Sequence, residues 1–211
     1  MDITYGDTIA PGGIQFALLI VDHKTRYNFI LPLQDCKSAS IITALQKLKT
    51  MAARLPQVMY TDFDPKLLSK MVTSWYNKQM GIILAAPPEQ QQQNGLAERT
   101  WRTISQMARS YINDKQMPKL FWYWSIKHTS RIQNIFPIKY KDKYTTPYEL
   151  VFKEKPDYRQ LLCLFSTIYF SHSKDNTKQR ITQAHSLAGI VVGWSEQANR
   201  LMVYNPITKE L

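Results

Sequence analysis

Three carboxylates in this sequence are spaced so that they could hold divalent cations. Asp62 ends the apolar segment 57–61, and Glu98 follows it after 35 intervening residues, at the start of a helical pattern. Asp2 lies at the beginning of the chain, shortly before a strand-like segment. Carboxylates from a strand, a strand end and a helix can converge on one or two cations. Because paired cations hold the attacking and leaving oxygens of a phosphodiester, the spacing indicates metal-dependent phosphodiester chemistry.

The helical pattern that contains Glu98 runs from about residue 94 to residue 113. Glu98 lies beside the apolar stripe of this helix, on a face that it shares with Arg102, Ser105 and Arg109. One interpretation is a surface Glu98–Arg102 pair, which stabilises a helix only slightly. The other makes Glu98 a metal ligand and the arginines phosphate contacts. The apolar stripe consists of Ala97, Trp101, Ile104, Ala108, Tyr111 and Ile112.

The elements that position these residues follow the order β-hairpin, helix, strand, helix, strand, helix. This order predicts a mixed α/β sheet with flanking helices. The strands are predicted at 14–21, 27–33, 58–61 and 82–85, and the helices at 38–53, 65–77 and 94–113. A proline at the first turn suits the helix that we expect to begin at Pro65.

The second half of the chain adds two helices and a change of pattern. An aromatic helix is predicted over 118–135, and its rings are expected in the core or at a subunit interface and not as base-stacking platforms. The basic segment 139–143 reads as a linker before a short helix at 147–152. Beyond Pro156 the pattern becomes strand-like and predicts a small β-barrel or meander. Its strands are expected at 163–170, 189–194 and 201–204, with turns at 173–176 and 205–206.

The basic charge is concentrated beside the candidate carboxylates. The chain has 211 residues, a net charge of +11 and a pI near 9.6, enough for one domain and a small appendage. Segment 99–143 holds ten Lys/Arg and two Asp/Glu, whereas segment 1–98 holds nine and eight. This distribution favours nucleic acid as the partner, and the alternative is a solvated basic surface.

Composition argues against several other classes of protein. No apolar run approaches 18 residues and no signal-peptide pattern begins the chain, so a membrane protein is not indicated. Two cysteines are too few for a disulfide framework and suit a reducing compartment. No closely spaced Cys or His pair predicts structural zinc, and the four histidines are scattered.

Several segments, taken in order, resemble one family. The spacing from Asp62 to Glu98 resembles the D,D-35-E signature of integrases, and 92–100 (QQNGLAERT) resembles the motif around its last acid. Segments 19–27 (LIVDHKTRY), 120–122 (LFW) and 146–156 (TPYELVFKEKP) resemble further motifs. The chain is therefore similar to copia-type (pseudoviral) LTR-retrotransposon integrases, within the retroviral-integrase-like superfamily.

The resemblance implies a ribonuclease H-like mixed sheet with flanking helices, followed by a small SH3-like β module. It implies a catalytic core over 1–152 whose first strand is shortened, because the family's strand begins before the residue that matches Asp2. Residues 153–211 would be an incomplete SH3-like module. Asp2, Asp62 and Glu98 would be catalytic and would bind two Mg²⁺ (or Mn²⁺). The expected DNA contacts are Gln92, Gln93, Asn94, Arg99, Arg102 and Arg109.

The implied activity is processing of the 3′ ends of element cDNA and their joining to target DNA. The partners would be these DNAs and further copies of the chain, with no membrane and no small-molecule cofactor. The site of action would be the nucleus, after assembly in cytoplasmic particles. The alternatives are an inactive or domesticated DNA-binding relic of an integrase, and a plain nuclease of the same fold.

Two positions leave a second choice open. Asp64 follows Asp62 closely, and it could be the ligand or could cap the helix expected from Pro65. The Asn and Gly residues that the family has after its second acid are absent here. Asp7, expected in a turn beside Gly6, is a poorer alternative to Asp2. Asp22 matches an aspartate that has a structural role in the family, so we do not assign it to a metal. The glutamines at 90–93 read as a DNA-contacting loop or as low-complexity sequence.

Overall fold

The computed structural model describes residues 1–86, 95–158, 161, 163–171, 186–195 and 200–209. Its first sheet is antiparallel, with the order β1-β2-β3. Gly12 and Gly13 have φ angles of 90° and 74° at the reversal between the first two strands, a conformation that glycine adopts without strain. The predicted hairpin over 14–33 is confirmed. The three strands are β1 (Asp2–Ala10), β2 (Ile14–Val21) and β3 (Asn28–Leu33).

A parallel strand pair forms a separate two-stranded sheet beside the start of β1. The strands β4 (Val58–Thr61) and β5 (Ile82–Ala85) pair in parallel, and the helix α2 (Lys70–Lys78) connects them. The α-amino group of Met1 donates a hydrogen bond to the carbonyl oxygen of Tyr60. This contact places the beginning of β1 alongside the end of β4.

Helices cover both faces of the sheet. The helix α1 (Ser38–Met51) and α2 pack on one face, whereas α3 (Gly95–Asp114) and α4 (Trp122–Ile135) pack on the other. Strand β2 contributes to both cores because its side chains alternate. Leu18 and Ile20 lie in the first core, and Ala17 and Leu19 lie in the second. The predicted mixed α/β fold with flanking helices is confirmed.

The aromatic residues after Pro118 lie in the core, as predicted. A 3₁₀ turn at Lys119–Phe121 leads into α4, and the side chains of Phe121 and Tyr123 are each 2% exposed. No helix among the described residues combines the length and the apolar composition that a membrane span needs.

The helix predicted from Pro65 begins instead at Lys70, which corrects the sequence interpretation. The Asp64 carboxylate accepts a hydrogen bond from the Lys66 N–H at 2.9 Å, and the Asp64 carbonyl accepts one from the Leu68 N–H at 3.1 Å. These bonds close a separate turn. Ser69 is then extended, with φ −58° and ψ 144°, so α2 starts only after it.

Two further expectations are wrong. Gly6 and Asp7 lie within β1 and not in a turn, because the strand continues to Ala10 through an irregular register after Tyr5. The basic segment 139–143 is not an extended linker. It belongs to an antiparallel hairpin of β6 (Ile138–Tyr140) and β7 (Lys143–Thr145).

The last part of the chain forms the helix α5 (Pro147–Phe152) and a second antiparallel sheet. This sheet has the order β8-β9-β10 and consists of β8 (Thr167–Ser171), β9 (Ser186–Ser195) and β10 (Arg200–Tyr204). Phe165 and Tyr204 pack edge-on against the ring of Phe121. The strands predicted at 189–194 and 201–204 and the turn after Asn205 are therefore confirmed. The strand predicted from residue 163 begins only at Thr167, because Phe165, with φ 63°, lies in a turn. The turn predicted at 173–176 lies outside the described residues. An SH3-like module stays a prediction.

Candidate active site

Asp2 and Asp62 lie close together where β1 meets β4. Asp2 is half-buried at the first position of β1, and exposed Asp62 directly follows the last residue of β4. Burial raises the pKa of Asp2 above its usual value, and the negative charge of Asp62 raises it further. The two carboxylates therefore repel each other across the junction of the two strands.

Asp64 serves mainly the local turn. Its carboxylate is engaged by the backbone N–H of Lys66, although it is still close enough to raise the pKa of Asp2 slightly. The predicted capping role of Asp64 thus applies to the turn at Pro65 and not to α2. The choice between Asp62 and Asp64 as a ligand stays a prediction.

Glu98 lies in the first turn of α3, with its side chain exposed. The predicted apolar stripe attaches α3 to the sheet, because Ile104 and Ala108 are buried in the core beside β2. Ala97 is buried as well. The Ser125 hydroxyl also donates a hydrogen bond of 2.8 Å to the Ala108 carbonyl. This packing leaves the Glu98 face of α3 open to solvent.

The basic side chains on α3 lie on that open face or next to it. Arg99, Arg102 and Arg109 are all exposed, whereas the Ser105 hydroxyl turns back to the Trp101 carbonyl at 2.6 Å. In the part of the chain that the structure describes, Glu98 forms no ion pair with Arg102. The interpretation as a surface ion pair therefore has no support, and both side chains remain accessible to a ligand.

The predicted site is only partly assembled in the structure. Asp2 and Asp62 are brought together, but no group of three or more His, Cys, Asp or Glu within the described ranges could hold a metal ion. The predicted DNA contacts Gln92, Gln93 and Asn94 lie outside the described residues, as do the glutamines at 90–93 generally. The assignment of Asp2, Asp62 and Glu98 to one catalytic site remains a prediction.

A cavity of about 780 Å³ borders the junction of β1 and β4. Its lining includes Met1 and Tyr60, next to the carboxylate pair, and Leu96 and Ala97, just before Glu98. Three exposed cations that the sequence interpretation missed also line it, and nothing in their spacing groups them because they come from three separate loops or helix ends. These cations are Lys24, Arg54 and Lys153.

Structural comparison places this fold among integrase catalytic cores. The chain matches the HTLV-2 integrase catalytic core domain in complex with magnesium, in its trimeric form, with a TM-score of 0.53 and 18% identity. That match covers 71% of this chain and 92% of the other. The BIV integrase catalytic core domain matches with a TM-score of 0.56 and 13% identity, over 72% of this chain and 91% of the other. The fold is therefore the predicted ribonuclease H-like fold.

Sequence comparison leads to the same class of protein. The chain is 24% identical over 164 residues to the retrovirus-related Pol polyproteins from transposons RE1 and RE2 of Arabidopsis thaliana. These matches cover 76% of the chain, which spans 11% of the length of either polyprotein. No family model matches the chain. Relatives and structural neighbours together confirm the resemblance to a retroelement integrase core.

Proposed function

We propose that this chain is the catalytic core of a copia-type LTR-retrotransposon integrase and carries out metal-dependent polynucleotidyl transfer. It would process the 3′ ends of element cDNA and join them to target DNA. The observation that carries the proposal is the carboxylate pair of Asp2 and Asp62, in a fold of the integrase type. Glu98, exposed in the first turn of α3, would supply the third carboxylate.

The residues present fit a hard divalent cation. Carboxylate oxygens are the ligands that Mg²⁺ and Mn²⁺ prefer, and the repulsion between Asp2 and Asp62 would be relieved by a bound cation. The HTLV-2 integrase core was solved in complex with magnesium. Asp2, Asp62 and Glu98 would hold two such ions. The ions would stabilise negative charge on the attacking and leaving oxygens of the phosphodiester.

The protein's own part in the reaction is to bind and orient DNA. Arg99, Arg102 and Arg109 project from α3 next to Glu98 and would contact phosphates. Gln92, Gln93 and Asn94, in the segment before α3, would contact DNA close to the cleaved bond. Because no side chain acts as a nucleophile in this scheme, positioning and charge account for the catalysis.

The proposed function also implies a division into domains, an oligomeric state and a site of action. We assign the catalytic core to 1–152 and an SH3-like module to 153–211. The functional unit would be a homo-oligomer, as the HTLV-2 core is described in trimeric and dimeric forms. The protein would act in the nucleus on chromosomal DNA, after assembly in cytoplasmic particles.

A second candidate function is DNA binding without catalysis, in an inactive or domesticated relic. The observation that favours it is that the described residues contain no preformed cluster of three metal-ligating side chains. The turn at Pro65, which the Asp64 carboxylate closes, also comes directly after Asp62. It occupies the place where the family has the Asn and Gly residues that this chain lacks.

A strand-transfer assay with Mg²⁺ or Mn²⁺ tests the proposal, with Asp62→Asn and Asp64→Asn as a matched pair. Asp62→Asn should abolish joining of a DNA 3′ end to a target, because it removes a charged ligand with little change in shape. Asp64→Asn should stay near wild-type activity, because Asn also accepts the Lys66 N–H bond.

The other possible results of the strand-transfer assay support different conclusions. If Asp64→Asn is inactive and Asp62→Asn is active, the assignment is shifted by two residues. A wild-type protein that binds DNA but neither cuts nor joins it supports the relic. Cleavage without joining supports a plain nuclease.

A further inference from the structure

We propose that the β6–β7 hairpin is a second DNA-binding element, which contacts phosphates through its lysines and stacks Tyr144 on an unpaired base. This inference rests on the proposed function and deepens it, because it identifies where a DNA strand would leave the carboxylates. The hairpin connects α4 to α5, and the sequence interpretation had taken its basic segment for a linker.

Cross-strand pairing places a lysine and a tyrosine together on each face of the hairpin. Lys139 lies opposite Tyr144, and Tyr140 lies opposite Lys143. Directly opposite residues in an antiparallel pair project to the same face. Tyr140 is half-buried, whereas Lys139 and Tyr144 are exposed, so this pair faces solvent.

The Tyr144 side chain is 79% exposed, far beyond what a core aromatic shows. An exposed ring beside a lysine is the combination that proteins use for single-stranded nucleic acid: the ring stacks on a base and the ammonium group binds the backbone. Phe136, 66% exposed just before β6, adds a second ring near the base of the hairpin.

Lys141, at the tip of the hairpin, has a backbone conformation that other residue types adopt more readily. Lys141 has a φ angle of 54°, and two-residue hairpin loops prefer Asn or Gly at such positions. Its ammonium group lies 6.0 Å from the ring centre of Tyr140. The charge of Lys141 therefore lies at the exposed tip of the hairpin.

The charge of the hairpin is not neutralised locally. Lys139, Lys141 and Lys143 are all exposed, and Asp142 is the one acid within 138–145. None of the three lysines has an ion-pair partner among the residues that the structure describes. The hairpin therefore presents a positive surface that a polyanion complements.

The position of the hairpin selects DNA over an acidic protein as its partner. Tyr140 lines the same cavity of about 780 Å³ as Met1 and Tyr60, which lie next to Asp2 and Asp62. A strand whose phosphodiester bond sits at the carboxylates can therefore extend along this cavity to the hairpin face that carries Tyr140 and Lys143, and would continue over the exposed tip to Tyr144 and Lys139 on the other face. Lys24 and Lys153, on the lining of that cavity, add positive charge along the path.

Fluorescence anisotropy with a single-stranded oligonucleotide and a duplex, each titrated over a range of salt concentrations, tests the inference. The variant Lys139→Ala/Lys141→Ala/Lys143→Ala should reduce the slope of log K against log salt by about two, from roughly 0.7 per phosphate contact on a single strand. Tyr144→Leu should weaken single-strand binding by roughly 5- to 150-fold, and Tyr144→Phe, which keeps the ring, should bind like wild type.

Arg102→Ala/Arg109→Ala separates this inference from the proposed function. If that variant lowers the slope and the triple lysine variant keeps the wild-type value, the hairpin inference is overturned and the proposed function stands. If wild-type protein, folded by circular dichroism, binds neither DNA, the proposed function fails as well. Unchanged single-strand affinity of Tyr144→Leu overturns the stacking contact. A hairpin that binds an acidic protein instead would leave all DNA parameters at wild-type values.

Discussion

The pKa values of individual residues in this protein are shifted by burial and by nearby charges. Asp2 and His128 are both withdrawn from water, and burial shifts their pKa values in opposite directions. The pKa of Asp2 rises, because burial and the charge of Asp62 disfavour its anion. The pKa of His128 falls to about 4, because burial and then the positive charge of Arg131 disfavour its cation. His128 lies edge-on to the Tyr111 ring, so it connects α4 with α3.

His128 should make the protein less stable in acid. Its pKa is about 4 in the folded state and about 6.5 in the unfolded chain, so the unfolded chain binds the proton first. The full stability is present above pH 6.5 and is lost as the pH falls towards 4. At pH 5 the loss should be about 2 kcal/mol.

Urea unfolding at pH 7 and pH 5 measures this loss. His128→Gln should remove it, because glutamine does not titrate. His23→Gln, at an exposed position, is the matched control and should keep the pH dependence of wild type. Identical pH dependence in His128→Gln and wild type would contradict the assignment.

At the scale of elements, one close contact attaches the start of α4 to the first strand. The Trp122 indole N–H donates a hydrogen bond of 2.8 Å to the Thr8 carbonyl. A Cβ atom on Gly6 would lie 2.2 Å from Trp122 Cε2, a distance that no side chain tolerates. Glycine at position 6 thus allows the indole to lie directly on β1.

Gly6→Ala should therefore destabilise the protein by about 1–3 kcal/mol, since either the indole or β1 must move. Gly95→Ala is the control: among the described residues, the atom nearest to a Cβ added there is Nη1 of the flexible Arg99 side chain, at 3.4 Å, and alanine favours a helix. The free energy of unfolding should fall for the first variant and stay constant or rise for the second. Equal stability of both variants would show that the indole does not rest on Gly6.

At the scale of the whole molecule, negative and positive charges are divided between neighbouring regions. The junction of β1 and β4 carries Asp2 and Asp62, while segment 99–143, on α3, α4 and the β6–β7 hairpin, carries most of the excess positive charge. Such a division suits a polyanion that must be held beside a site able to bind cations.

Divalent cations should stabilise the folded molecule if the three carboxylates share them. At a Mg²⁺ or Mn²⁺ concentration about ten times the dissociation constant, the gain is about 1.4 kcal/mol, which raises the melting temperature by roughly 3–5 °C. Glu98→Gln should reduce this shift. Asp114→Asn, at the other end of α3 and also exposed, should not.

Thermal melting with and without millimolar Mn²⁺ measures the effect. A melting curve that does not move, in protein shown to be folded, would count against a shared metal site. Equal reduction of the shift by Glu98→Gln and Asp114→Asn would show that the cation binds to general negative charge.

The sequence by itself determined those elements whose signals are local. The apolar stripes of α1 and α3 follow from helical periodicity, and the hairpin over 14–33 follows from two β-prone segments around a polar turn. The start of α5 was equally readable. Thr146 accepts a bond from the Glu149 N–H while Glu149 accepts one from the Thr146 N–H, a capping box that needs only residues three positions apart.

The tertiary structure decided which distant residues meet. Asp2 and Asp62 are neighbours because the Met1 amino group reaches the Tyr60 carbonyl, and no periodic signal spans that separation. The start of α2 depended on the competing Asp64 turn. Periodicity shows that a face is apolar but not which residues pack on it. The contact between the rings of Phe165 and Phe121 therefore appears only in the tertiary structure. How Glu98 approaches Asp2 and Asp62 is likewise a matter of how α3 packs on the sheet, because spacing along the chain carries no distance in space.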